Sequence, residues 1–349
     1  MSRAVSAEPV PDEFDDSEEE ELVPAVDLST TLAGVRFPNP IFTASGCAAA
    51  GRELNAFFDV AELGGIVTKS VMRAPRLGRA TPRMAETASG MLNSIGLQGP
   101  GIIAFLENDL PWLVEHEARA VVSIAGESVE EYADLARRLR GAPGISLVEV
   151  NISCPNVADR GQVFACSPAA ASDVIRAVRT ELSNESHPPV FAKLSPDVTD
   201  IVEIARSVVA AGADGLSLIN TSLGLVIDPH TLRPALAGVT GGLSGPAIRP
   251  IALRCVYQVH AALPDIPILG MGGVRTGEDA LAFLAAGASA VSVGTAVFGD
   301  PGAPMRIVHE LAEELQARGI SAVTDVIAAA HRPAGTPIHG AQAPMGELG

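Results

Sequence analysis

Cysteine is scarce: four residues, Cys47, Cys154, Cys166 and Cys255, lie scattered with no Cys-x-x-Cys pair and no clustered histidines. That spacing argues against a disulfide framework and against zinc or iron–sulfur ligation by this chain, so the thiols are expected to be reduced and no metal is expected. Long apolar runs are missing too. None approaches the roughly 18 to 20 residues that cross a bilayer, and no basic stretch followed by an apolar core marks the N-terminus. The sequence therefore reads as a cytoplasmic protein without a membrane partner. A net charge of −17 argues against nucleic acid as a partner. All seven histidines fall outside the motifs described below, which disfavours a His-centred triad. The sharpest scarcity is lysine, with two (Lys69 and Lys193) against twenty-two arginines. A compact ammonium retained against such a bias suggests a site that a planar guanidinium cannot serve, the plain alternative being chance survival at two surface positions. Both lysines close short apolar runs, Ile66 to Lys69 and Val190 to Lys193, where an ammonium without a task is costly.

What is present divides the chain in three. Residues 1–27 hold ten acids and one arginine, over half of the total charge imbalance, and are expected to form a disordered acidic tail. Residues 28–331 alternate short β-rich runs with helical patterns, and residues 332–349 read as a flexible C-terminal tail. Eight runs are strand candidates: Pro40 to Ser45, Gly65 to Lys69, Ala120 to Ile124, Leu147 to Ile152, Val190 to Leu194, Gly215 to Ile219, Pro267 to Gly270 and Ala290 to Val293. Between them, Ser128-x-x-Glu131 reads as a capping box and Ser167-Pro168 as a helix start, while Leu63-Gly64-Gly65, Ala211-Gly212-Ala213 and Ala286-Gly287-Ala288 read as helix ends. This pattern predicts an α/β fold, a (β/α)8 TIM barrel with inserted active-site loops after strands 2 and 6. An open doubly wound sheet is the competitor, but no Gly-x-Gly-x-x-Gly follows the first strand.

The strand ends carry Ser45, Lys69, Ser123, Asn151, Lys193, Asn220 with Thr221, Gly272-Gly273 and Gly294-Thr295. One such residue is usually a turn former; eight on one face suggest a site. Paired glycines after the last two strands suit a phosphate, pointing to a mononucleotide cofactor or a phosphorylated substrate. One lysine could stabilise charge at the N1/C2 edge of a reduced flavin and the other bridge cofactor to an anionic substrate. Cys154 stands in a loop between Asn151 and Asn156, neutral groups suited to an amide-rich ring. A thiol of ordinary pKa, about 8.5, can act as a base near neutral pH if modestly activated, while the bland reading is a structural cysteine. The other three cysteines read as small apolar residues.

Taken as a set, Asn151-Ile-Ser-Cys-Pro-Asn156, Glu86 to Gln98 with its core Gly90-Met-Leu-Asn-Ser-Ile-Gly-Leu97, Ala192-Lys-Leu-Ser-Pro196, Ile219-Asn-Thr221, Thr240-Gly-Gly-Leu-Ser-Gly-Pro246 and Gly270-Met-Gly-Gly273 resemble the class 1B dihydroorotate dehydrogenases from about Asp27 to the final helix. The resemblance implies an FMN barrel that oxidises dihydroorotate to orotate in pyrimidine biosynthesis, with Cys154 taking the C5 proton and hydride passing from C6 to flavin N5. It implies catalytic roles for Cys154 and Lys69, and substrate contacts from Lys69, Asn93, Ser94, Ile95, Gly96, Leu97, Asn151, Asn156, Asn220 and Thr221. It implies FMN contacts from Ser45, Lys69, Ser70, Ser123, Asn151, Lys193, Ile219, Gly245, Gly272, Gly273, Gly294 and Thr295. Ser123 departs from the family, which usually has Asn there, and the acidic tail has no family counterpart. The resemblance further implies a homodimer of barrels joined to a second subunit carrying FAD and a [2Fe–2S] cluster, a heterotetramer that delivers electrons to NAD+. The alternatives are a class 1A-like enzyme using fumarate, a flavin-free isomerase acting on a phosphorylated sugar, and a non-catalytic barrel.

Overall fold

A computed structural model describes residues 26–153, 164–183, 187–336 and 338. Eight parallel strands form its centre: β1 Ile41–Thr43, β2 Ile66–Val67, β3 Ala120–Ile124, β4 Ile145–Asn151, β5 Val190–Leu194, β6 Gly215–Leu218, β7 Ile268–Met271 and β8 Ala290–Val293. Each pairs with its neighbours in sequence, and β8 pairs with β1. The remaining gap, β1 to β2, is closed by a bridge between Phe42 and Gly65 and by Thr43 N–H donating to Gly65 O at 3.1 Å. The chain thus forms the (β/α)8 TIM barrel that alternating strands and helical patterns predict.

Alternation along each strand sorts its side chains. Residues such as Ile41, Ile66, Val122, Val148, Ala192 and Leu216 face outward into a continuous core with the surrounding helices. Phe42, Val67, Val121, Leu147, Phe191 and Leu269 face inward and fill the barrel. An N-terminal hairpin, Thr30–Leu32 with Val35–Phe37, adds Leu32 and Phe37 to this interior cluster, with Phe37 set edge-on to Phe42 at 5.0 Å between ring centroids. Nothing in the periodicity distinguishes these short strands from a loop.

The helix starts follow side-chain chemistry. Ser128 Oγ accepts from Glu131 N–H at the head of helix Val129–Leu139, and Ser167 caps helix Pro168–Glu181 in the same way. The expected capping box is displaced by one residue, because the Glu131 carboxylate accepts from Glu127 N–H at 2.8 Å. Between β1 and β2 the expected helix is replaced by two 3-10 turns, Leu54–Ala56 and Val60–Glu62. There, Asn55 and Asp59 side chains accept from Val60 and Ala61 N–H, offering the backbone local partners in place of helical ones.

The two long insertions, after β2 and after β6, are built together. Met84–Thr87, Gly90–Asn93, Gly241–Ser244 and Ser222–Gly224 form one antiparallel sheet across the mouth of the barrel. Its central seam joins the insertions, pairing Gly242 with Asn93, Leu243 with Leu92 and Ser244 with Met91.

Candidate active site at the barrel mouth

Below this mouth sheet lies a cavity of about 850 Å3 at the C-terminal ends of the barrel strands. Most of the residues expected to form a site converge on it. Ser45, Lys69, Ser70, Asn151, Lys193, Ile219, Asn220, Thr221, Gly245, Gly272, Gly273, Gly294 and Thr295 line it, with Asn93, Ile95, Gly96 and Leu97 from the mouth. Ser94 and Ser123 do not line it: both are fully buried behind the wall. Cys154 and Asn156 lie outside the described residues.

Lys193 projects inward from β5 and is 3% exposed. Its ammonium donates to Ser45 Oγ at 2.9 Å, tying β5 to the end of β1 across the barrel. It also faces Glu149 of β4, with Nζ 3.6 Å from Oε1; the two side chains are 4% and 0% exposed. The same Oε1 accepts from Ser123 Oγ at 3.0 Å. Ser123 Oγ lies 2.9 Å from Ser70 Oγ, which accepts from Asn151 Nδ2 at 3.0 Å. Asn151 Oδ1 is taken by Ser153, whose Oγ donates at 3.2 Å. A polar path thus runs from one wall of the cavity to another through the barrel interior, with Glu149 at its centre.

Glu149 is absent from the residues expected at the strand ends, yet it carries a readable signal. It is a lone acid between Val148 and Val150, and it shares the inward parity of Leu147 and Asn151. Cys47, expected to be a small apolar residue, packs against the hydrophobic core and also lines the cavity. Burial pushes its thiol up to about 11, against the opposing pull of Lys193 and Lys69, so it stays protonated at neutral pH.

On the opposite side the wall is backbone. Among the described residues the N–H groups of Gly273 and Gly294 have no backbone acceptor. A Cβ at Gly273, where φ is +81°, would lie 2.7 Å from Gly245 O and 2.9 Å from Arg249 Cβ. Only glycine leaves this corner open, and its uncommitted N–H donors fit an anion such as a phosphate. The mouth is fastened to the same corner by Thr295 Oγ1, which donates to Ser244 Oγ at 2.7 Å. Asn220 Nδ2 donates to Ser153 O at 3.0 Å, anchoring the segment that leads to Cys154. Among the described residues no helix is long and apolar enough to cross a membrane.

Comparison with known proteins agrees with this architecture. A family model described as dihydroorotate dehydrogenase matches residues 27–315. The chain is 47% identical over 310 residues to the dihydroorotate dehydrogenase B (NAD(+)) catalytic subunit of Desulforudis audaxviator, covering 89% of this chain and 99% of that protein. It is 50% identical over 303 residues to the protein of the same name from Geobacter sulfurreducens, covering 87% of this chain and 98% of the relative. Among solved structures, a dihydroorotate dehydrogenase of Eimeria tenella in complex with ferulenol superposes with a TM-score of 0.72 at 24% identity, covering 92% of each chain, a likeness of fold.

Proposed function

Because the chain belongs to the dihydroorotate dehydrogenase family, we propose that it is the FMN-binding catalytic subunit of an NAD+-linked dihydroorotate dehydrogenase, oxidising (S)-dihydroorotate to orotate in pyrimidine biosynthesis. The observation that carries this reading is the convergence of both lysines of the chain on one cavity with Asn151, Asn220 and the glycine corner.

The cavity fits FMN in its donor chemistry. The uncommitted N–H groups of Gly273 and Gly294, beside Gly272, would hold the phosphate, and Lys193, Lys69, Asn151, Ser45 and Ser70 supply donors for the ring. When bound, FMN supplies the two-electron acceptor for the hydride leaving the substrate. The chain's own work is to bind, orient and deprotonate. Lys69 and the Asn93 to Leu97 loop would hold the substrate carboxylate, while Asn151, Asn156, Asn220 and Thr221 would hold the ring by its amides. Cys154 would take the C5 proton. Cys47, kept protonated by burial, is unsuited to that task. The mouth sheet covers the cavity and would exclude water from the reacting atoms.

We place the onward transfer of electrons in a second subunit carrying FAD and a [2Fe–2S] cluster, in a heterotetramer built on a homodimer of barrels in the cytoplasm. The names of the relatives, each a catalytic subunit acting with NAD(+), support a partner. The test is anaerobic addition of dihydroorotate to the purified chain: its flavin absorbance should bleach, and reoxidation by NAD+ should require the partner. A colourless protein that binds no added FMN would refute the dehydrogenase reading. Rapid fumarate-dependent turnover by the chain alone would refute the NAD+-linked one.

A further inference from the structure

Barrel interiors are normally filled by bulky apolar side chains. Here the interior layer drawn from the alternate strands β2, β4, β6 and β8 holds Val67, Glu149, Ser217 and Ser292, all buried. Of the three polar members, Glu149 Oε2, Ser217 Oγ and Ser292 Oγ have no hydrogen-bond partner among the described residues. A charge pair in such a place is a poor structural investment. Desolvating two ions costs several kcal/mol each, and an apolar pair of equal volume would commonly serve stability as well. At 3.6 Å, Lys193 and Glu149 are also beyond good hydrogen-bond length, so the pair gains less than a close one.

The direction of the hydrogen bonds shows what the carboxylate does. An ionised carboxylate only accepts, so Ser123 must give its single proton to Glu149 Oε1. Ser123 Oγ can then only accept from Ser70, and Ser70 in turn only accepts from Asn151 Nδ2. Each step has one solution. The charge on Glu149 therefore fixes which end of the Asn151 amide faces Ser70, leaving Oδ1 to Ser153 and one Nδ2 proton uncommitted at the cavity wall.

Resting on the reading of the cavity as an FMN site, we propose that Glu149 is a positioning residue for it: one buried carboxylate oxygen holds the Lys193 ammonium at the cavity floor and, through Ser123 and Ser70, sets Asn151 as a donor. Ser123 in this chain is then a link in the path to Glu149 rather than a contact to the cofactor, which matches its place behind the wall.

The test is a double-mutant cycle read by FMN affinity, with FMN titrated into apoprotein made from the full-length holoenzyme and flavin fluorescence followed. Glu149→Gln keeps the shape and removes the charge. It should weaken FMN binding about tenfold, the scale of one hydrogen bond to a charged group. In a Lys193→Gln background the same substitution should change affinity less than twofold, because its main route of action is gone. Glu149→Asp, which keeps the charge, should recover affinity to within threefold and serves the same cycle if the Gln variant fails to fold. Equal losses in both backgrounds, no loss in either, or an Asp variant as weak as Gln would each overturn the proposal. If the unmutated chain binds no FMN, it is the reading of the cavity that fails, an outcome distinct from a failed cycle.

Discussion

The seam of the mouth sheet offers the sharpest test of how the two insertions act. Gly90 meets the other insertion backbone to backbone, with φ of +154°; an added Cβ would overlap the Ser244 carbonyl oxygen and come within 3.3 Å of Gly245 Cα. Neither obstacle is a flexible side chain, so Gly90→Ala can be accommodated only by parting the strands. Overpacking of this kind costs roughly 1–3 kcal/mol, and placing an L side chain at positive φ adds about 1 kcal/mol. A penalty of roughly 2–4 kcal/mol lowers the population of the paired mouth about 30- to 1000-fold relative to the open one. Because Gly90–Asn93 leads directly into the Asn93 to Leu97 loop, the loss should appear in substrate binding: the KM for dihydroorotate should rise at least about tenfold if the paired state only slightly predominates. The barrel has its own core and should keep its thermal midpoint within a few degrees. The assay is steady-state kinetics beside a thermal melt, with hydrogen exchange at the Met91 and Leu92 amides reporting the seam. A KM within twofold of the unmutated value, with those amides still protected, would refute the coupling of the two loops.

Three other perturbations address separate parts of the site. Cys154→Ala should keep FMN bound but slow the anaerobic bleaching by dihydroorotate about 10²- to 10⁴-fold, the usual contribution of a general base, whereas Cys47→Ala should leave the rate within a few fold. Replacing Lys193 by Arg forces a larger head into a site 3% exposed and should weaken FMN binding about 5- to 150-fold in a fluorescence titration, despite the conserved charge. Away from the cavity, His260 is held below its ordinary pKa of 6.5, first by burial and then by His331, whose ring centroid is 4.8 Å away. A neutral imidazole favoured in the folded state stabilises it fully above pH 6.5, and that contribution is lost as pH falls through the lowered value. Thermal melts from pH 7.5 down to 5 should therefore show a decline that is smaller in His260→Leu; equal declines would remove His260 as its source.

The barrel was legible in the sequence because its strands are short, mostly apolar runs bounded by helix caps and turns, signals that act within a few residues. Ala120–Ile124, Val190–Leu194 and Ala290–Val293 fall where the runs begin and end. The site was legible for a related reason: a parallel barrel brings all strand ends to one face, so Lys69, Lys193, Asn151 and the glycine corner meet without any knowledge of distances. What the sequence concealed depends on contacts far apart in the chain. Leu92 and Leu243 give no local sign that they pair across the mouth. Glu149 reads as an anomaly in an apolar strand until Lys193 and Ser123 are placed beside it. Ser94 belongs to a motif whose neighbours Asn93 and Ile95 line the cavity, and Ser123 to a strand end beneath it, but both side chains are buried away from the cavity.

The two lysines have a consequence for chemical labelling. Both line the cavity, so apart from the α-amino group the protein presents no primary amine elsewhere on its surface. Acylating or reductively alkylating reagents, which on most proteins scatter over many exposed side chains, would here find their lysine targets only inside the active-site cavity. The extent of amine modification at Lys69, the less buried of the two, becomes a gauge of cavity occupancy: a ligand that fills the site should shield it, and one bound elsewhere should leave its labelling unchanged.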